Sequence, residues 1–82
     1  MPPELDADPV LIQFTHAEAL VLFEWLSRVD SSALQTEHLA ELTVLYRLEG
    51  KLEPELVEPF KPNYRELLAA ARAEVVGENA AP

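Results

Sequence analysis

Cysteine is absent from this 82-residue chain, so no disulfide braces it and no thiolate serves as nucleophile or metal ligand. The absence also fits a reducing compartment. Glycine is scarce: Gly50 and Gly77 are the only two, and no phosphate-cradling loop can be built from them. Basic residues number 6 against 15 acids, giving a net charge of −9. Binding to a nucleic-acid backbone or an anionic membrane relies on lysine and arginine, so neither partner is expected. No segment approaches the roughly 20 consecutive apolar residues that span a bilayer. Met1-Pro2-Pro3-Glu4-Leu5-Asp6 is acidic and proline-bearing, the reverse of the basic start and apolar run of a signal peptide. A cytoplasmic protein is therefore expected.

What remains is a chain rich in leucine, alanine and glutamate, with Ile12 its single isoleucine, and that mixture favours helix over sheet. A chain this short forms one small domain, whose core alone supplies only a few kcal/mol of net stability. With disulfides excluded, regular helix packing, a metal or oligomerisation must supply the rest. The expected organisation is a flexible arm over residues 1–9, one helical domain over residues 10–76, and a flexible tail over residues 77–82.

Val10-Leu11-Ile12-Gln13-Phe14 is a short β-favouring run, either a brief strand or an extended lead-in packed on the core. A lone strand needs a partner, and none is visible downstream, so a strand here would pair with its copy in a second subunit. Thr15-His16-Ala17-Glu18 follows as a capping box: the Thr15 hydroxyl accepts from the Glu18 N–H while the Glu18 carboxylate reaches back to the Thr15 N–H. A first helix then runs over about residues 16–29 and ends at Asp30-Ser31-Ser32.

At about 100° per residue, Ala19, Leu20, Val21, Leu22, Phe23, Trp25, Leu26 and Val29 wrap roughly two thirds of that helix. A helix packed on one neighbour needs an apolar stripe little wider than about 100°. This one must be covered on two or more sides. The expectation is that a second copy supplies a missing wall, with Leu20, Val21 and Trp25 at the contact.

A second helix is expected from near Thr36 to about Leu52, capped either by Ser32 with Gln35 or by Thr36 itself. Leu39, Leu42, Leu45, Tyr46, Leu48 and Leu52 keep its apolar spacing. Pro54 is unsuited to a helix interior but suited to the first residue of a new turn, which predicts a kink or a short extra helix there. Glu58-Pro59-Phe60-Lys61-Pro62-Asn63 reads as a rigid connection, with Phe60 as a plug that locks the third helix onto the other two. The third helix is expected over about residues 64–76, opened by Asn63 and Tyr64 and stopped by Gly77. The predicted fold is mainly α, a three-helix bundle with a short extended N-terminal segment.

Chemical motifs are sparse. His38 and Glu41 lie three apart and can share a helix face, but the Glu-x-x-His pairs of di-metal bundles run in the opposite order and come in twos. Glu18 is already used by the cap. Ser31 and Ser32 have no histidine brought to them by any sequence argument. Neither a catalytic residue, a metal site nor a cofactor is expected. Glu41 and Glu49 fall within or beside the apolar side of the second helix. They are either rim residues reaching solvent or an arginine (Arg47, Arg65 and Arg72 are available), or, for Glu41, a polar contact fixing subunit register. Glu49, Glu53, Glu55 and Glu58 surround the kink, either as solvated surface or as a dock for a basic protein.

The strings Glu18-Ala19-Leu20-Val21-Leu22-Phe23-Glu24-Trp25-Leu26 and Leu56-Val57-Glu58-Pro59-Phe60, with Tyr64 and Leu67-Leu68-Ala69-Ala70-Ala71-Arg72, resemble a group of short bacterial helical proteins of no assigned function. The likeness covers about residues 12–76 and implies a bacterial stand-alone domain. Pro54 departs from the uninterrupted helix of that group. No activity, cofactor or site comes with the resemblance. From the residues themselves the expected function is a non-enzymatic, self-associating interaction module, a homodimer. The alternatives are an acidic regulator that occupies a basic surface on another protein, and a metal-binding protein or enzyme.

Overall fold

The structure, a computed structural model, describes residues 7–80. The sequence-predicted arm over residues 1–9 lies outside the described residues as far as Asp6, and the tail lies outside them at Ala81 and Pro82. Three helices form the molecule: α1 (His16–Arg28), α2 (Leu39–Leu52) and α3 (Tyr64–Ala80). Single turns of 3-10 helix sit at Ser31–Ala33, Glu53–Glu55 and Glu58–Phe60. Among the described residues there is no strand.

α1 starts where its capping box places it. The Thr15 hydroxyl accepts from the Glu18 N–H at 3.1 Å, and the Glu18 carboxylate accepts from the Thr15 N–H at 2.8 Å. Two of the N–H groups near the helix start are thereby satisfied. Beyond Arg28, Asp30 makes the stop: its Oδ1 accepts from the Ser32 N–H and hydroxyl at 3.0 and 2.8 Å. Those bonds hold the Asp30 carboxyl below its ordinary pKa.

α2 begins later than the sequence suggests. Its cap is His38, whose Nδ1 accepts from the Ala40 N–H at 2.9 Å, while Glu41 Oε1 accepts from the Glu37 N–H at 2.9 Å. This is a capping arrangement with imidazole in place of the usual hydroxyl, and neither Ser32 nor Thr36 takes the role. At the other end, α2 reaches Leu52 as expected. Pro54 then sits within the first turn of the short Glu53–Glu55 helix, where its missing N–H costs no bond.

α3 opens directly after Asn63, whose carbonyl accepts from the N–H groups of Glu66 and Leu67. The expected stop at Gly77 is not there: α3 continues through it to Ala80 with no positive φ. A glycine ends a helix by adopting the left-handed conformation, and Gly77 keeps the right-handed one.

α1 is the central element. Tyr64 meets Glu24, and Leu67, Ala70, Ala71 and Glu74 lie beside His16, Ala17 and Leu20, so α3 runs antiparallel to α1. Leu42 and Leu45 lie beside Leu26 and Val29, and Leu52 beside Ala19, so α2 runs antiparallel to it as well. The core comprises Ala17, Leu20, Leu26, Leu52, Leu56, Leu68 and Ala71. The broad apolar surface of α1 is thus covered on two sides, as its width requires, but by helices of its own chain.

Candidate functional site

The placement of the expected interface residues follows from that central position. Leu20 is 2 % exposed and belongs to the core, so it is unavailable to a second subunit; the expectation is corrected. Val21 is partly buried against the same core. Trp25 alone of the three keeps substantial exposure, at 37 %. Glu41 spends one carboxylate oxygen on the N–H of Glu37, just ahead of its own helix, so the exposed polar contact there is local. Its neighbour in the sequence argument, Glu49, lines a cavity of about 20 Å³ between α1 and α2, room for about one water and no ligand.

Phe60 is also corrected. It was expected to plug the bundle, yet it is 79 % exposed. The 3-10 turn at Glu58–Phe60 carries it outward, and its inward neighbour is Leu56, which is buried instead. Tyr64 does hold the bundle together: its hydroxyl donates to Glu24 Oε1 at 2.8 Å. Burial, and then the adjoining Glu24 carboxylate, push the Tyr64 phenol up to about 12.

Part of the uncovered apolar surface lies at the end of the bundle where α1 begins, and the rest is carried by Trp25, by Leu39, Val44 and Tyr46 of α2, and by Val76. Residues 10–14 belong to no helix or strand, and Val10, Leu11, Ile12 and Phe14 are all exposed. Neither sequence expectation for this segment, a strand or a lead-in buried on the core, describes it. Ile12 and Phe14 border a groove of about 340 Å³ that continues to Leu52, Leu56 and Glu55. On the other side of Leu56, a second groove of about 390 Å³ is edged by Gly50, Pro54, Val57 and Phe60. With Ile12 at 72 %, Val57 at 60 % and Phe60 at 79 % exposure, apolar side chains of the arm and the connection stand open in the two grooves that share Leu56, among Thr15, His16, Glu53 and Glu55. Ile12 and Val57 were not singled out as contacts from sequence.

Polar groups border this surface. His16 Nε2 and Glu58 Oε2 are 2.5 Å apart, tying the start of α1 to the connection. The Glu58 carboxyl sits below its ordinary value, lowered most by its own backbone N–H; burial opposes that shift, and the hydrogen bond and charge of His16 lower it further. With Glu58 engaged and Glu49 at the cavity, only Glu53 and Glu55 of the expected acidic cluster stand fully exposed. The candidate ligand pair His38 and Glu41 is spent on the α2 cap. Among the described residues no three histidines or carboxylates are grouped to hold a metal, and no helix is long and apolar enough to cross a membrane.

A third group lies between α1 and α3. Glu24 Oε2 is 3.5 Å from Arg28 Nε, and Arg65 and Arg72 stand beside Tyr64 in the same open groove. No family model, curated protein or solved structure matches the chain.

Proposed function

We propose that the chain is a non-enzymatic self-association module that forms a homodimer through the arm and the proline-rich connection. The observation that supports this is the amount of surface left open. A compact 9.2 kDa chain exposes roughly 4,900 Å² by the general size scaling, and this one exposes 6816 Å². Its radius of gyration, 15.4 Å, likewise exceeds the roughly 12 Å of a compact chain of this length. A standard interface covers about 800 Å² per partner, well within that excess. The open surface includes the apolar side chains of Val10, Leu11, Ile12, Phe14, Val57 and Phe60.

A second copy is favoured over a basic partner because Val10, Leu11, Ile12, Phe14, Val57 and Phe60 are exposed apolar side chains, while Glu58 is already tied to His16. An exposed segment outside any helix or strand also offers backbone N–H and C=O groups that a symmetric copy can pair with. The contact is thereby moved from α1, where the sequence places it, to the end of the bundle.

Sedimentation equilibrium across micromolar concentrations tests the proposal. The expected result is a concentration-dependent dimer that Ile12→Asp with Phe60→Asp converts to monomer while leaving the far-UV circular dichroism unchanged. Monomer at every concentration in the parent chain ends it.

A further inference from the structure

Half of the basic residues of this chain gather in one place. Arg28, Arg65 and Arg72, three of the 6, line an open groove of about 400 Å³ with Glu24, Tyr64 and Leu68. Leu68 is buried and forms its floor. The other three bases, Arg47, Lys51 and Lys61, lie elsewhere.

Neutralisation within the groove is incomplete. Glu24 is the only acid lining it. One of its oxygens accepts from the Tyr64 hydroxyl and the other faces Arg28. Arg65 and Arg72 have no ion-pair or hydrogen-bond partner among the described residues. The groove therefore carries two surplus positive charges in a chain whose net charge is −9. With 15 acids in the chain, pairing these arginines would have been easy. Seven residues separate Arg65 from Arg72, so they share one side of α3 and stand about 10 Å apart along it, flanking Leu68. Arg72 is close enough to the Tyr64 hydroxyl for its charge to act on that group's ionisation.

We propose that this groove binds a small, multiply charged oxyanion, a phosphate or a polycarboxylate, held by the guanidinium groups of Arg65 and Arg72 and closed by Arg28. Arginine suits that role because its planar fork of N–H donors grips two oxygens at once and stays charged at every accessible pH. The groove falls within the usual size of small-ligand sites. The acidic remainder of the surface selects against long polyanions, whose distant charges it repels, and leaves a short anion as the ligand the field permits. The site is separate from the apolar end of the bundle and does not depend on self-association.

Inorganic phosphate, sulfate and citrate serve as probes, each titrated at an ionic strength held constant with sodium chloride. Arginine Nε–H and backbone amide NMR shifts are followed. The expected result is saturable movement at Arg28, Arg65, Arg72 and Leu68 for at least one probe. Arg65→Gln with Arg72→Gln weakens the apparent affinity by about tenfold or more, equivalent to about 1.4 kcal/mol. Arg47→Gln with Lys51→Gln removes the same charge from α2 and leaves the affinity within about twofold. Shifts that rise linearly with all three probes, or that fall equally in both double variants, overturn the proposal. Either outcome would mean solvated arginines whose stems pack over Leu68. Both variants alter exposed side chains, and circular dichroism is the check that each remains folded.

Discussion

Against α3, the central helix shares buried core residues and a polar tie, with open grooves beside them. Ala17 and Leu20 pack with Leu68 and Ala71, and Tyr64 bonds to Glu24 across the contact. Against α2 the same helix is covered more loosely. Only Leu52 of α2 is buried, a small cavity separates the two helices, and Leu39, Val44 and Tyr46 face solvent. The difference originates in the chain ends of each element. α3 follows a connection stiffened by Pro54, Pro59 and Pro62 and wound into two 3-10 turns, whereas α2 follows a loop of similar length with a single 3-10 turn and starts only at the His38 cap. Stability in this molecule therefore belongs mainly to the α1–α3 pair, and surface available for other contacts belongs to α2, the arm and the connection.

The largest expected effect comes from breaking the tighter side. Leu20→Ala removes a side chain that is 2 % exposed at the centre of the core, and such truncations cost about 2–5 kcal/mol. That range spans much of the stability of a small domain, so the variant should unfold at far lower urea concentration or fail to fold. Leu39→Ala is the matched change on the looser side, and at an exposed position it should stay within about 0.5 kcal/mol. Urea unfolding followed by circular dichroism measures both. Equal losses would mean that α2 and α3 contribute alike, and the comparison would fail.

Much of this asymmetry could not be read from the residues. The capping box at Thr15, the helix end at Leu52, the short turn around Pro54 and the start at Tyr64 were all legible, because each depends on local chemistry that a few neighbouring residues settle. The breadth of the α1 apolar surface was also legible and correctly demanded cover on two sides. What covers it was not: two helices of the same chain or one helix and a second copy satisfy the same pattern. His38 escaped notice as a cap because imidazole acceptors are uncommon there. Gly77 misled because a glycine only permits the left-handed turn and does not impose it. Phe60 reads as a plug from its place in the rigid connection, yet the 3-10 turn at Glu58–Phe60 leaves it exposed and Leu56, just ahead of that turn, is the buried side chain.

A smaller change sharpens the comparison from the looser side. Gly50 lies inside α2, and a Cβ built on it meets nothing within 4 Å. Its φ is not positive, so alanine fits the backbone unstrained. Gly50→Ala should stabilise α2 by about 0.5–1 kcal/mol through helix propensity alone. Native-state hydrogen exchange is the informative readout, since locally opening segments exchange faster than the global limit allows. Slower exchange confined to α2 amides would show that this helix opens separately. A uniform slowing across α1, α2 and α3 would show that the three helices open together.

The smallest effect concerns the link at the junction of the two regions. Glu58 ties the connection to the start of α1 through His16, and its Oε1 also accepts from the Val57 N–H at 3.2 Å. In the folded chain its carboxyl lies below the ordinary value of 4.5. The folded state therefore binds that proton less readily than the unfolded state. The resulting stabilisation is fully present above about pH 4.5 and is lost as the pH falls through the folded value. Because His16 is well exposed, solvent screening keeps the pair within about 1 kcal/mol. Glu58→Gln keeps the shape of the side chain and removes its titration. At pH 7 the variant should be less stable than the parent by a few tenths of a kcal/mol up to about 1 kcal/mol, and by pH 3 the two should converge. Urea midpoints at the two pH values measure this. A difference that persists undiminished at pH 3 would assign it to packing around Val57 and Phe60 and not to the carboxylate, and the connection would then be held by contacts of the same kind as the core.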